Sequence, residues 1–187
     1  HVDKQPAGLD FYEIDWERPR GTVRIEHGQH SFGIEDSLGL MSTQDLGPIA
    51  NEGLFEFTID AGMSVPSPGL IPHDQARLKA HAILQRILQA GWQPIVARDN
   101  PRLTGKDQPD YMFATSNVEG LDPRYLPNFE EWMRIEDRTA WNFYADHLYL
   151  SVYFTREKTL RDPLKPGSYL LSFNLKSEAE EFRGYVG

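Results

Sequence analysis

Two alternating runs separated by two residues constrain this chain more than any other feature. In "WNFYADHLYLSVYFT", residues 141–155, the runs Trp141–Ala145 and Leu148–Thr155 meet at Asp146-His147. A two-residue connection joins antiparallel neighbours, and alternate side chains of a strand point to opposite faces. Leu148, Leu150, Val152 and Phe154 are therefore expected on a core face. Tyr149, Ser151, Tyr153 and Thr155 are expected on the other, with Trp141 beside the tyrosines. Such an outward tyrosine stripe is usually roofed by a helix; left open, it supplies binding anchors.

The same period recurs along the chain. Leu9–Trp16, Thr22–Glu26, His30–Glu35, Leu54–Asp60, Trp92–Ala97, Tyr111–Thr115 and Tyr169–Leu175 read as strands. His27-Gly28-Gln29 suits the turn between the second and third of these. Pro94 has no N–H, so its strand lies at an edge or begins pairing only after it. Residues 36–52, with Gly39, Gly47 and Pro48, read as loop, as do the charged 98–110 and the turn-rich 161–168. One helix is long, about His73 to Ala90. Ala76, Ala80, Ile83, Leu84, Ile87 and Leu88 make its apolar stripe, Asp74 sits at its positive end, and Gly91 stands where a left-handed residue ends it. Two short helices open on polar caps: Asn128 with Glu131, spanning about 129–135, and Ser177 with Glu180, carrying Phe182 and Val186.

Strands joined by short turns, with few helices, predict an α+β domain. The expected form is a mainly antiparallel sheet with one long and two short helices packed on it, leaving room for a small second sheet from residues 9–35. The chain, 187 residues long, has the length of a single domain. Residues 1–10 read as a flexible lead-in and residues 9–60 as a candidate N-terminal lobe.

Asp and Glu number 28 against 19 Lys and Arg, a net charge of −9. That balance repels nucleic acid and anionic lipid; it suits solubility, the plainer reading, or a partner with a basic surface. There is no cysteine, so disulfides, thiolate zinc sites and cysteine nucleophiles are excluded. The opening residue is His1, which leads to the expectation of an N-terminal signal or anchor segment and an exported protein.

Catalytic patterns are sparse. "HGQH" sets His27 and His30 three apart with Glu26 and Glu35 near, a spacing that could hold zinc; the plainer reading is solvated turn residues. His73-Asp74 and His81 could pair a base with its orienter, but eight residues apart they need not share a helix face cleanly. Ser64 lies in a loop without a nucleophile elbow. The carboxylate pairs Glu56/Asp60 and Glu130/Glu131 have ordinary strand and helix-start roles. Asp99, Asp107 and Asp110 miss the spacing of a calcium loop. No glycine-rich phosphate loop is present, and the basic residues are dispersed.

"ILQAGWQPIVARDNPRLTG", "LDPRYLPNFEEWMRIED", "WNFYADHLYLSVYF" and "LKPGSYLLSFNL" together resemble small exported immunity proteins, often lipoproteins, that accompany type VI secretion effectors of the phospholipase type. The resemblance covers about residues 75–186; the first 70 carry none of it. It implies a periplasmic, non-enzymatic protein that binds and blocks a toxic effector. It transfers no catalytic residue, no metal ligand and no cofactor. Loops 62–72, 98–110 and 156–167 are the contact candidates, with Arg98, Asp99, Arg102, Tyr149 and Tyr153 as the partner-binding residues. The alternatives are a metal- or His-dependent hydrolase using His27, His30 or His73, and an adaptor or structural domain of a secretion apparatus.

Overall fold

A computed structural model describes residues 2–5, 9–16, 20–45, 56–64, 69–96, 100–116 and 121–183. Among these, nine strands form one antiparallel sheet. They are β1 (Val2–Gln5), β2 (Leu9–Asp15), β3 (Gly21–Ile25), β4 (Phe32–Asp45), β5 (Glu56–Gly62), β6 (Gln93–Pro94), β7 (Ala140–Ala145), β8 (Leu148–Arg156) and β9 (Tyr169–Ser177). The spatial order is β1-β2-β4-β5-β9-β8-β7-β6, with β3 paired to β4 beyond the end of β2. Four helices accompany it: α1 (His73–Gln89), α2 (Asp107–Thr115), α3 (Phe129–Arg134) and α4 (Glu178–Phe182). The α+β class and the antiparallel sheet are as the sequence predicts.

The register reflects the period of two. Leu40, Ile59, Phe173, Val152 and Trp141 stand in one row across β4, β5, β9, β8 and β7. The next row on the same face holds Ser42, Phe57, Leu175, Leu150 and Phe143. This face joins Ala76, Ala80, Leu84 and Ile87 of α1 in a single buried cluster. Trp141 belongs to it, 2% exposed, and so does not stand beside the outward tyrosines. The antiparallel pairing puts it opposite Val152, and a residue opposite an inward one also points inward.

Three other expectations are corrected. The strands of residues 9–45 do not form a separate small sheet: β4 runs 14 residues, pairs with β2 and β3 along one edge, and joins them to β5 along the other. Its length is hidden in the sequence by a bulge, where Asp36 takes a φ of 55° and the register shifts between Ser37 and Gly39. Val2–Gln5, within the expected lead-in, pairs with β2. Tyr111–Thr115 is helical, part of α2. Pro109 sits in that helix's first turn, where no N–H is required, and with Met112 forms its buried side.

The end of α1 sets the position of the chain that leaves it. Gly91, at φ 86°, donates its N–H to Leu88 O, and Trp92 donates to Ile87 O, the paired bonds of a left-handed helix stop. That turn drives Trp92 into the core, fully buried, with its Nε1–H on His30 O and its ring edge-on to Phe32. A Cβ at Gly91 would lie 2.8 Å from His30 Nδ1. Gly91→Ala should therefore cost about 1–2 kcal/mol for the left-handed backbone alone, read as a lowered midpoint in urea. An unchanged midpoint would contradict this account of the helix stop.

Candidate functional site

Opposite residues of the strands build a second face. One row holds Glu56, Lys176, Tyr149 and Tyr144; the next holds Thr58, Asn174, Ser151 and Asn142; a third holds Asp60, Ser172 and Tyr153. Its polar groups bind one another. Ser172 Oγ donates to Asp60 Oδ1 at 2.5 Å, Asn174 Nδ2 to Glu56 Oε1 at 2.6 Å and Thr58 Oγ1 at 3.2 Å, and Ser151 Oγ to Asn142 Oδ1 at 2.7 Å. Lys176 Nζ lies 3.8 Å from Glu56. Met41, in the same row as Thr58, is 51% exposed, an apolar side chain on an otherwise polar face. Beyond Tyr153 the face runs into a groove of about 390 Å³ bordered by Gly62, Thr155 and Leu170 from the sheet and by Asp137, Lys158 and Ser168 from the loops.

Of the five residues expected to bind a partner, this face brings together Tyr149 and Tyr153. Tyr149 meets Tyr144 at 5.0 Å between ring centroids and Phe182 of α4 edge-on at 5.7 Å. Burial, and then the Glu178 carboxylate, raise its hydroxyl pKa above the usual tyrosine value. Tyr153 lies under the Arg138 guanidinium, 5.7 Å from its centroid. Arg102 is exposed on the connection between β6 and α2, and among the described residues no bond or ring contact joins it to either tyrosine. Arg98 and Asp99 lie outside the described residues. The groove unites two of the three expected contact loops, 62–72 and 156–167. Ile71 and Gly167 exchange backbone hydrogen bonds of 2.8 and 3.0 Å that hold those loops together.

His27 and His30 lie together, 5.8 Å between ring centroids, and far from His73. His27 donates Nε2–H to Ala145 O at 3.2 Å and His30 donates Nδ1–H to Ala90 O at 2.9 Å, so the expected solvated turn instead links the end of β7 to the end of α1. His73 stands at the other end of that 17-residue helix, about 25 Å away at 1.5 Å per residue. The three cannot share one cleft. Among the described residues no group of three or more His, Asp and Glu side chains is placed to hold a metal ion. Among those same residues, no helix is long and apolar enough to cross a membrane.

Beneath the groove lies a buried polar chain that the sequence motifs did not reveal. His73 Nε2 is 3.1 Å from Asp162 O, which can only accept, so Nε2 carries the proton. Burial, ahead of every other influence, lowers the His73 pKa, and the neutral ring accepts at Nδ1 from Tyr169 O–H at 2.6 Å. Tyr169 in turn accepts from Trp132 Nε1–H at 3.1 Å. Arg156, 1% exposed, packs its guanidinium against Trp132, Phe154 and Tyr169 at 5.4–5.7 Å and donates to Trp132 O and Met133 O, the last-turn carbonyls of α3. A sequence signal for both groups exists. The inward alternation 148, 150, 152, 154 reaches Arg156 one step further on, and His73 sits three residues before Ala76 on the apolar stripe.

Comparison of the chain with protein-family models, curated proteins and solved structures finds no match. Function must therefore be read from the faces and grooves themselves.

Two of these contacts can be tested directly. Tyr169→Phe leaves the acceptor of His73 and the donor of Trp132 unpaired in the core and should cost about 1–3 kcal/mol of unfolding free energy in urea; a neutral substitution would show that the chain contributes nothing to stability. His147 Nδ1 bonds the Glu178 carboxylate, and Glu178 N–H bonds His147 O, docking α4 on the β7–β8 turn. The Glu178 hydrogen bond raises the His147 pKa above 6.5. A raised histidine stabilises fully below its unfolded value and loses that contribution as pH rises through its folded value. Amide exchange of residues 178–182, corrected for intrinsic rates, should thus quicken as pH rises through that folded value. Glu178→Gln should remove the dependence, and a pH-independent wild type would contradict the docking contact.

Proposed function

We propose that this chain is an exported binding protein that neutralises a toxic secretion-system effector, of the phospholipase type, by covering its active cleft. The observation that carries the reading is the sheet face opposite α1, where aromatic, apolar and polar side chains stand together and lead into a groove. Interfaces draw their binding energy from a few aromatic anchors set among polar groups. Tyr149 and Tyr153 have that position. The groove between loops 62–72 and 156–167 gives a partner side chain somewhere to insert. His27, His30, Glu131 and Asp60 are engaged in a turn, a cap and strand-to-strand bonds, which fits a receiving surface better than a catalytic one. Export and a periplasmic setting come from the resemblance and belong to the same proposal.

Titration of the chain against the effector encoded by the neighbouring gene should give a one-to-one complex and suppress the effector's activity. Tyr149→Ala and Tyr153→Ala should each weaken that complex about tenfold or more, since buried aromatic anchors dominate such contacts. Retention of full affinity in both variants would move the contact surface elsewhere, and absence of any complex would remove the inhibitor reading.

A further inference from the structure

We infer that the open sheet face is a docking surface for an arginine-rich protein segment, an inference that rests on the reading of this face as the contact surface. Strand parity assigns Glu13, Asp15, Glu56 and Asp60 to it, against Arg24 and Lys176, among the described residues. Neutral donors orient two of these acids: Ser172 holds Asp60, and Asn174 holds Glu56. Such bonds fix a carboxylate without cancelling its charge. The α1 side is arranged differently. There Asp74 meets Arg77 at 2.7 Å, Asp36 meets Lys79 at 3.2 Å and Glu35 meets Arg86 at 3.6 Å, whereas on the open face Lys176 meets Glu56 at 3.8 Å and Asp60 is held by a neutral hydroxyl. The strands of the open face thus carry more acids than cations.

Acids and tyrosines share rows. Glu56 stands in line with Tyr149, and Asp60 with Tyr153, each two strands apart. The two rows lie four residues apart along each strand, about 13 Å. An arginine can stack its planar guanidinium on a tyrosine while its N–H groups reach a carboxylate, which a lysine ammonium does less well. The chain already sets one guanidinium over a tyrosine of this face, that of Arg138 over Tyr153. The surface thus fits a partner segment carrying two arginines at roughly that spacing.

Hexa-arginine is the probe, titrated into the whole chain with amide chemical shifts as the readout. Shifts should concentrate at residues 56–60, 149–153 and 172–176. The binding should weaken about tenfold between about 0.02 and about 0.2 M salt. Glu56→Gln with Asp60→Asn should weaken it by roughly fivefold or more, whereas Asp74→Asn should not. Each single variant serves if the double one does not fold, as judged by its own spectrum. Hexa-lysine should bind more weakly. Shifts centred on α1, equal binding of both peptides, or insensitivity to the Glu56 and Asp60 changes would overturn the inference. No effector enters this experiment, so a failed neutralisation titration and a failed peptide titration tell against different claims.

Discussion

The period of two along β5, β9 and β8 is the constraint on which the rest depends. Ile59, Phe173 and Val152 are buried against the α1 side, and each fixes its neighbours on the opposite face. A slip of one residue would exchange the two faces completely. Burying Leu171, Phe173 and Leu175 therefore also delivers Ser172, Asn174 and Lys176 outward, in register with Asp60, Thr58 and Glu56. The surface proposed for binding is the geometric complement of the core.

Rigidity beneath that surface comes from polar groups placed where apolar ones would be expected. A buried guanidinium has a large desolvation cost, and Arg156 offsets it with two helix-end carbonyls and three aromatic faces. In doing so it ties the end of α3 to the end of β8. The adjacent chain from Trp132 through Tyr169 and His73 to Asp162 has one direction of hydrogen bonding, set by a carbonyl that can only accept. Gly167 lies against the His73 ring, where a Cβ would come within 2.5 Å of Cε1. The loops that border the groove are thus anchored on a core network.

The same physics decides how much was legible in the sequence. The β7–β8 hairpin, α1 with its glycine stop and the Asn128–Glu131 capping box are local patterns, and local patterns survive in one dimension. In the box Asn128 Oδ1 accepts the Glu131 N–H, and the Glu131 carboxylate accepts that of Asn128. Long-range features were less readable. The bulge at Asp36–Gly39 disguised most of β4, from residue 36 onward, as loop, and a proline in its first turn disguised α2. Tyr149 and Tyr153 could be placed outward from alternation alone, but their acidic neighbours come from β5, about ninety residues earlier in the chain. His27 and His30 looked like turn residues because their carbonyl partners, Ala145 and Ala90, are also distant in sequence.

The central claim is that the face opposite α1 meets the partner. Hydroxyl-radical footprinting of the complex tests it directly, because both faces carry reactive solvent-accessible side chains: exposed Met41 with half-buried Tyr149 and Tyr153 on one, exposed Leu78 of α1 on the other. The account predicts that partner binding suppresses oxidation of Met41, Tyr149 and Tyr153 and leaves Leu78 unchanged. Protection of Leu78 with the tyrosines and Met41 still fully reactive would contradict it.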